Sequence, residues 1–206
     1  MAAGNVVRLM TRSAYRLINS TFSWQHNVLL DRMTTSELEF WFHNVLHLNS
    51  EQIWQDNEIP SKVVYSDASD RACGAILNID EKVFHSNWTE EEQSKSSTWW
   101  ELRTVLLALD AFTLNIHNRT IAWFTDNQNV VSIVSKGSRN SELHTMALHL
   151  FEVCLASHIH LEVKWVPREF NIQADSIGHI LDYDDYTIND FVFTEFDKLW
   201  GPYTVD

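Results

Sequence analysis

Cysteines, basic residues and long apolar runs are all scarce in this 206-residue chain. Its two cysteines, Cys73 and Cys154, lie in apolar stretches outside any motif, which excludes a disulfide framework and a zinc site. No apolar run reaches the roughly 18 residues that span a bilayer. The opening stretch, MAAGNVVRLMTRSAY, lacks the apolar segment of a secretory signal. We therefore expect an intracellular protein, cytoplasmic or nuclear, with no membrane partner.

The shortage of basic residues gives a formal net charge of −13, from 15 Lys and Arg against 28 Asp and Glu. Residues 181–206 carry one basic and seven acidic residues, which is nearly half of the excess. Proteins that hold nucleic acid by bulk electrostatics normally display a basic patch. Any nucleic-acid function must therefore explain how an acidic chain binds its substrate.

Three segments differ in character along the chain. Residues 1–60 are predicted to form a helical extension, in which Thr34 and Glu37 have the spacing of a capping box. The polar stretch DNEIPSK then predicts a joint, and residues 61–180 carry the alternating patterns of an α/β domain. Residues 181–206 are acidic and rich in aromatic residues, which predicts an arm that docks on the domain.

The central segment alternates between strand and helix patterns. Strand patterns cover 62–69, 72–79, 82–88, 120–125 and 160–166, and helical patterns cover 97–116, 127–136, 141–158 and 171–180. The order is β-β-β-α-β-α-α-β-α. Three meandering strands followed by strand–helix–strand crossovers predict a mixed sheet with helices packed on its faces.

Four carboxylates lie within or at the ends of these strands and helices. Asp67 lies in the first strand, Glu101 in the long helix, Asp126 at the end of the fourth strand and Asp175 at the start of the last helix. Each alone has an ordinary structural explanation. These are an Asx turn, a capping box with Thr98, a helix N-cap and a favourable helix-dipole position, respectively.

Taken together, the four acids predict a metal site. If the first and fourth strands are parallel neighbours, Asp67 and Asp126 leave the sheet at the same edge, where sites form in α/β folds. Carboxylates that converge without matching Lys or Arg raise one another's pKa values. Mg²⁺ prefers oxygen ligands, and a pair of ions about 3.5–4 Å apart stabilises both oxygens of a phosphoryl displacement.

The motifs YSDAS, WWELR, FTDNQ and NIQAD, in this order, resemble the ribonuclease H family. The chain is most similar to the ribonuclease H domain of retroelement reverse transcriptases, especially of DIRS-type (tyrosine-recombinase) retrotransposons. The stretches RLMTRSAYRLINSTFSWQ and SELEFWFHNVLHLN resemble the segment after the polymerase, and DYDDYTIND and LWGPYTVD resemble the stretch after the ribonuclease H domain. The resemblance implies a polymerase domain, absent from this chain, as a partner.

The resemblance further implies a ribonuclease H-like fold, a five-stranded mixed sheet flanked by helices. It also implies metal-dependent, endonucleolytic hydrolysis of the RNA strand of RNA/DNA hybrids, with two Mg²⁺ ions that Mn²⁺ can replace. Asp67 would bridge the ions, Asp175 would help hold the water-activating ion, and Glu101 with Asp126 would hold the ion at the departing 3′ oxygen.

Three further residues are candidate substrate contacts, although each has an ordinary alternative. Asn127 lies beside Asp126 and Ser69 lies near Asp67, and turn formation would explain either residue equally well. Arg168 would meet a phosphate or pair with Glu169 or another neighbour. The loop before Asp175 lacks the histidine of many cellular members, and His179 follows four residues later.

Two other functions remain open at this stage. A catalytically silent remnant or co-opted interaction module would keep the fold, and the net charge of −13 favours it. The other is a nuclease of the same superfamily that acts on DNA.

Overall fold

The structure is a computed structural model that describes residues 3–48, 59–78, 82–178, 198 and 201. The predicted C-terminal arm and His179 lie outside the described residues, apart from Lys198 and Gly201. In the described part of the chain, no helix has the length and apolar character needed to cross a bilayer.

A five-stranded sheet forms the centre of the fold. Its strands are β1 (Lys62–Ala68), β2 (Ala72–Leu77), β3 (Lys82–Asn87), β4 (Thr120–Thr125) and β5 (His160–Trp165). They lie in the order β3-β2-β1-β4-β5. The β1–β2 and β2–β3 pairs are antiparallel, as expected for strands that follow one another closely along the chain. The β1–β4 and β4–β5 pairs are parallel, because helical crossovers join them.

Helices pack around this sheet. They are α1 (Ala3–Leu9), α2 (Arg12–Asn19), α3 (Arg32–Leu48), α4 (Glu90–Gln93), α5 (Ser97–Ile116), α6 (Gln128–Lys136), α7 (Ser141–Ala156) and α8 (Ile172–Gly178). The predicted mixed sheet flanked by helices is confirmed. The one-turn helix α4 begins with a capping box between Thr89 and Glu92.

The core lies between the sheet and α5. Val64, Ile121 and Trp123 of the central strands are fully buried, as are Leu102 and Leu109 of α5. The indole nitrogen of Trp123 donates to Ser66 Oγ at 2.8 Å, so the largest side chain of the core has its one polar group satisfied.

The N-terminal helices share this core. Val6, Leu9 and Met10 are buried in the same apolar cluster as the sheet residues, and α1 packs against α6. The division into three segments at residues 60 and 180 stays a prediction.

The predicted capping box in α3 is wrong. Asp31 Oδ1 accepts the hydrogen bond from Thr34 N at 2.7 Å and so holds the start of the helix. Glu37 is 2% exposed and accepts hydrogen bonds from the backbone nitrogens of Ser13 and Ala14 at 2.7 and 2.9 Å. Its carboxylate therefore joins α2 to α3 instead of capping its own helix.

Candidate active site

The carboxyl ends of β1 and β4 lie side by side. The two strands pair in parallel from Lys62 opposite Ile121 to Tyr65 opposite Phe124. Asp67 therefore stands at the edge of the sheet where Asp126 directly follows β4. The predicted parallel pairing is confirmed, and it brings the two aspartates to one edge.

Glu101 reaches the same edge from α5. The N-cap of this helix is Ser96, whose hydroxyl accepts a hydrogen bond from Trp99 N at 3.3 Å. The alternative of a capping box with Thr98 is therefore wrong. Glu101 instead lies in the second turn, where it is 5% exposed and accepts a hydrogen bond from Thr125 Oγ1 at 3.3 Å.

Three carboxylates thus form a cluster. Asp67, Glu101 and Asp126 each offer an oxygen, and these oxygens lie within 4.8 Å of one another. Asp67 is 4% exposed and Glu101 is 5% exposed, while Asp126 is half-buried. No lysine or arginine of the described chain forms a salt bridge with any of the three.

The electrostatics of the cluster disfavour three negative charges. Burial, reinforced by the charges of Asp126 and Asp175, raises the pKa of Asp67 to about 7. Burial also raises the pKa of Glu101 well above its ordinary value, with the charges of Asp67 and Asp126 adding to the effect. The pKa of Asp126 is raised by burial too, although Arg168 opposes that shift.

A divalent cation fits this donor set. Oxygen donors alone, converging without a neutralising side chain in contact, are the ligands that a hard cation such as Mg²⁺ prefers. A cation would remove the mutual repulsion that raises the pKa values of these groups. The triad is therefore positioned for metal binding.

Asp175 stands beside the triad without joining it. It lies in the first turn of α8, and its charge contributes to the raised pKa values of Asp67 and Asp126. Its Oδ1 accepts hydrogen bonds from Nε of Arg168 at 3.1 Å and from Nη2 of the same side chain. Of the two predicted environments for Arg168, the structure has the ion pair, with Asp175 as the partner and not Glu169.

The other candidate contacts have structural roles. Ser69 Oγ accepts from Arg71 N and Ala72 N at 3.2 and 3.1 Å and so shapes the β1–β2 turn. Asn127 is the N-cap of α6, and its Oδ1 accepts from Asn129 N at 3.0 Å. The alternative that Asp126 caps this helix is therefore wrong.

Two supporting residues escaped the sequence interpretation. Asn171 is 1% exposed and donates from Nδ2 to Ser66 O at 2.9 Å, which ties the start of α8 to β1 beside Asp67. Trp165 is 45% exposed and donates from its indole nitrogen to Asp126 O at 2.9 Å. An asparagine before a helix and a tryptophan in a strand have common local explanations, so the sequence carries no signal for either contact.

No protein-family model matches the chain, and no curated protein matches it. Similar solved structures are ribonuclease H domains. Ribonuclease H1 from the halophilic archaeon Halobacterium salinarum is 18% identical, with a TM-score of 0.48 over 56% of this chain and 92% of that chain. LC11 ribonuclease H1, solved with an RNA/DNA hybrid, is 13% identical, with a TM-score of 0.49 over 57% and 93%. The foamy viral protease-reverse transcriptase, solved with double-stranded DNA, is 14% identical, with a TM-score of 0.41 over 60% and 95%.

These identities and TM-scores are too low to carry an activity over to this chain. They also contain nothing that favours the DIRS-type retrotransposons over other sources. The function has to rest on the site itself.

Proposed function

We propose that this chain hydrolyses the RNA strand of RNA/DNA hybrids endonucleolytically and depends on a divalent metal. One observation carries the proposal: Asp67, Glu101 and Asp126 place carboxylate oxygens within 4.8 Å of one another at the carboxyl edge of the central strands. The order of the acids in the sequence, which resembles that of the ribonuclease H family, supports the choice of reaction.

The metal would be Mg²⁺, as two ions that Mn²⁺ can replace, held by the triad together with Asp175. When bound, such ions supply an activated water and stabilise charge on the oxygens of the phosphodiester. The chain itself holds the ligands in place. Thr125 Oγ1 orients Glu101, and the pairing of β1 with β2 and β4 fixes the backbone of Asp67.

Arg168 is the residue that we assign to substrate phosphate. Its side chain is 69% exposed, and it pairs with Asp175 at the open side of the cluster. A substrate phosphate that draws Arg168 away would break the ion pair at Asp175 Oδ1, which could then act as a metal ligand. This exchange couples substrate binding to completion of the site.

Asn127 and Ser69 would face the RNA strand at its 2′-hydroxyls, which is how proteins distinguish RNA from DNA. The Oδ1 of Asn127 caps α6, and in the described part of the chain its Nδ2 donates to no other group. Ser69 already shapes a turn, so its contribution to binding would be the smaller of the two.

We further propose that the chain is the ribonuclease H part of a retrotransposon reverse transcriptase, of the DIRS type. The motifs and the flanking stretches that resemble such proteins support this origin. It also accounts for the net charge of −13, because a polymerase domain in another part of the protein would contribute affinity for the hybrid. The place of action would be intracellular.

The test is cleavage of a hybrid labelled on each strand, with Mg²⁺, with Mn²⁺ and with chelator. The parent should cut only the RNA strand and only with metal. Asp67→Asn should lose activity, whereas Asp110→Asn, at an exposed position of α5, should keep it. Metal-dependent cutting that survives in Asp67→Asn would assign the activity to a contaminant or to another site. Cutting of the DNA strand would favour a DNA nuclease.

The second candidate is a catalytically silent interaction module with the same fold. The net charge of −13 favours it, since weak substrate affinity is expected of an acidic chain. A folded parent that binds hybrid without cutting it at high protein concentration, in either metal, would establish this alternative.

A further inference from the structure

A second candidate site lies away from the acidic cluster. A cavity of about 410 Å³ opens between α2 and the link from α6 to α7. Three arginines line it: Arg12 and Arg16 of α2, and Arg139 of the link. They are three of only 15 basic residues in a chain of net charge −13, and none of the described lining residues is acidic.

Two of these arginines have no ionic partner. Arg16 pairs with Asp31 at 2.9 Å, which leaves its charge largely neutralised. Among the described residues, neither Arg12 nor Arg139 forms a salt bridge or a side-chain hydrogen bond. Arg12 and Arg139, from distant parts of the chain, thus line one cavity without an ionic partner among the described residues.

Buried polar groups at the cavity also lack partners. Ser13 is 1% exposed and His144 is 2% exposed. Ser13 Oγ and Nδ1 of His144 have no partner in the described structure, whereas Nε2 of His144 lies 3.5 Å from a carboxylate oxygen of Glu37. A buried hydroxyl without a partner is costly, so Ser13 Oγ indicates a ligand or a water that completes it.

The carboxylate of Glu37 lies behind this lining. It accepts the hydrogen bonds from Ser13 N and Ala14 N, and its Oε1 is 3.5 Å from His144 Nε2. Backbone donors occupy both carboxylate oxygens of Glu37, so this side chain fixes the position of Ser13 and also contacts His144. The arginines line the open side of the cavity. The hydroxyl and the two free guanidinium groups are donors that suit a tetrahedral anion.

We propose that this cavity binds a phosphate group. Arginine pairs with phosphate through parallel charge-assisted hydrogen bonds, and the cavity volume leaves space for part of the molecule that carries the phosphate. Tyr15, which is 66% exposed at the cavity, offers an aromatic face for a nucleotide base. The phosphate would belong to a free nucleotide or to a nucleic-acid strand.

The cavity is separate from the acidic site, because α6 lies between them. This helix begins two residues after Asp126 and ends three residues before Arg139. Nine residues span about 13 Å. Phosphate binding in the cavity therefore needs neither the metal nor hydrolysis, and the proposal stands independently of the proposed function.

Inorganic phosphate in the presence of chelator is the first probe, because the acidic triad repels it. Backbone amide NMR shifts and the thermal unfolding midpoint are followed against chloride of equal ionic strength. The parent should show saturable shifts at residues 12–16 and 138–144, with a higher midpoint. Arg12→Gln combined with Arg139→Gln should weaken phosphate binding by about tenfold or more.

Two further variants test whether the effect is specific to the cavity. Arg119→Gln removes an exposed arginine at the other end of β4 and should leave phosphate binding unchanged. Ser13→Ala removes a hydroxyl that has no partner, so it should fold normally and still bind phosphate more weakly. Shifts that do not saturate, or that persist in the double variant, would overturn the proposal.

Two further probes identify the carrier of the phosphate. Adenosine monophosphate and a noncleavable DNA duplex are titrated against the parent and the double variant. If the double variant loses mainly its binding of the duplex, the phosphate belongs to a nucleic-acid strand. If it loses mainly its binding of adenosine monophosphate, the phosphate belongs to a free nucleotide. If the double variant binds both as the parent does, the cavity takes no phosphate.

Discussion

Replacing Asp67 by asparagine should stabilise the protein in the absence of metal. Asp67 is 4% exposed, and burial together with the charges of Asp126 and Asp175 raises its pKa from 3.8 to about 7. The folded protein therefore binds a proton at this carboxyl more tightly than the unfolded chain does. An asparagine has nearly the same shape and carries no charge at any pH.

The magnitude and the sign follow from proton linkage. A group whose folded pKa is raised contributes stability below its unfolded pKa and loses it as the pH rises through the folded pKa. At about 1.36 kcal/mol for each pKa unit, ionised Asp67 lowers the free energy of unfolding by up to about 4 kcal/mol above pH 7. The advantage of Asp67→Asn over the parent should therefore grow by about 2.3 kcal/mol between pH 5 and pH 7, where half of the Asp67 carboxyls are ionised.

Urea unfolding in chelator, at pH 5, 6, 7 and 8, measures this difference. Asp110→Asn, at an exposed position, is the control and should show no such dependence on pH. Magnesium should then reduce the difference in free energy of unfolding between Asp67→Asn and the parent, because it stabilises the parent alone. The stabilisation is about 2.7 kcal/mol when the Mg²⁺ concentration is a hundred times its dissociation constant. A stability difference that stays flat from pH 5 to pH 8 would refute the view of Asp67 as an uncompensated buried acid.

Three other substitutions test the packing around the two sites, each by urea unfolding at pH 7. Glu37→Gln keeps one acceptor and loses the charge that serves Ser13 N and Ala14 N, so it should lower the free energy of unfolding by about 1.5–3 kcal/mol. An unchanged stability would contradict the role of this carboxylate in joining α2 to α3. Gly137→Ala should lower the free energy of unfolding by about 1–3 kcal/mol, because the φ of Gly137 is +71° and a Cβ at this position would lie 2.6 Å from His144 Nδ1. An unchanged stability would mean that the buried ring of His144 moves aside freely. Ser66→Ala should cost about 1–3 kcal/mol by leaving the indole N–H of Trp123 unpaired, and a neutral result would contradict that hydrogen bond.

The sheet was predictable because its signals are local. The alternating runs that become β1, β2 and β3 are separated by short polar turns, and helical crossovers are needed only where strands are parallel. These features fix the mixed sheet before any long-range contact is known. The parallel pairing of β1 with β4 then places Asp67 and Asp126 at one edge.

Hydrogen-bond partners were not predictable in the same way. Glu37 has the spacing of a capping residue, yet its carboxylate reaches Ser13 and Ala14 on another helix. Arg168 had an acidic neighbour at the next position, yet it pairs with Asp175 seven residues later. Sequence spacing restricts which groups are close along one element, whereas packing between elements selects among them.

The arginine-lined cavity had no sequence signal at all. Arg12 and Arg139 lie in segments that the sequence assigns to different parts of the protein, and only the packing of the N-terminal helices on α6 and the following link brings them together. Net charge is a poor guide in this case, because an average of −13 conceals a local excess of cations.

The capping explanations for Glu101 and Asp126 fail for a common reason: other residues already hold the cap positions. Asn127 caps α6 and Ser96 caps α5, so neither Asp126 nor Glu101 is needed at a helix start. What remains for the three acids is burial and mutual repulsion, both of which lower the stability of the folded chain at neutral pH. A bound cation would convert that repulsion into binding free energy, and this is the physical reason why the proposed function places a divalent metal at the cluster.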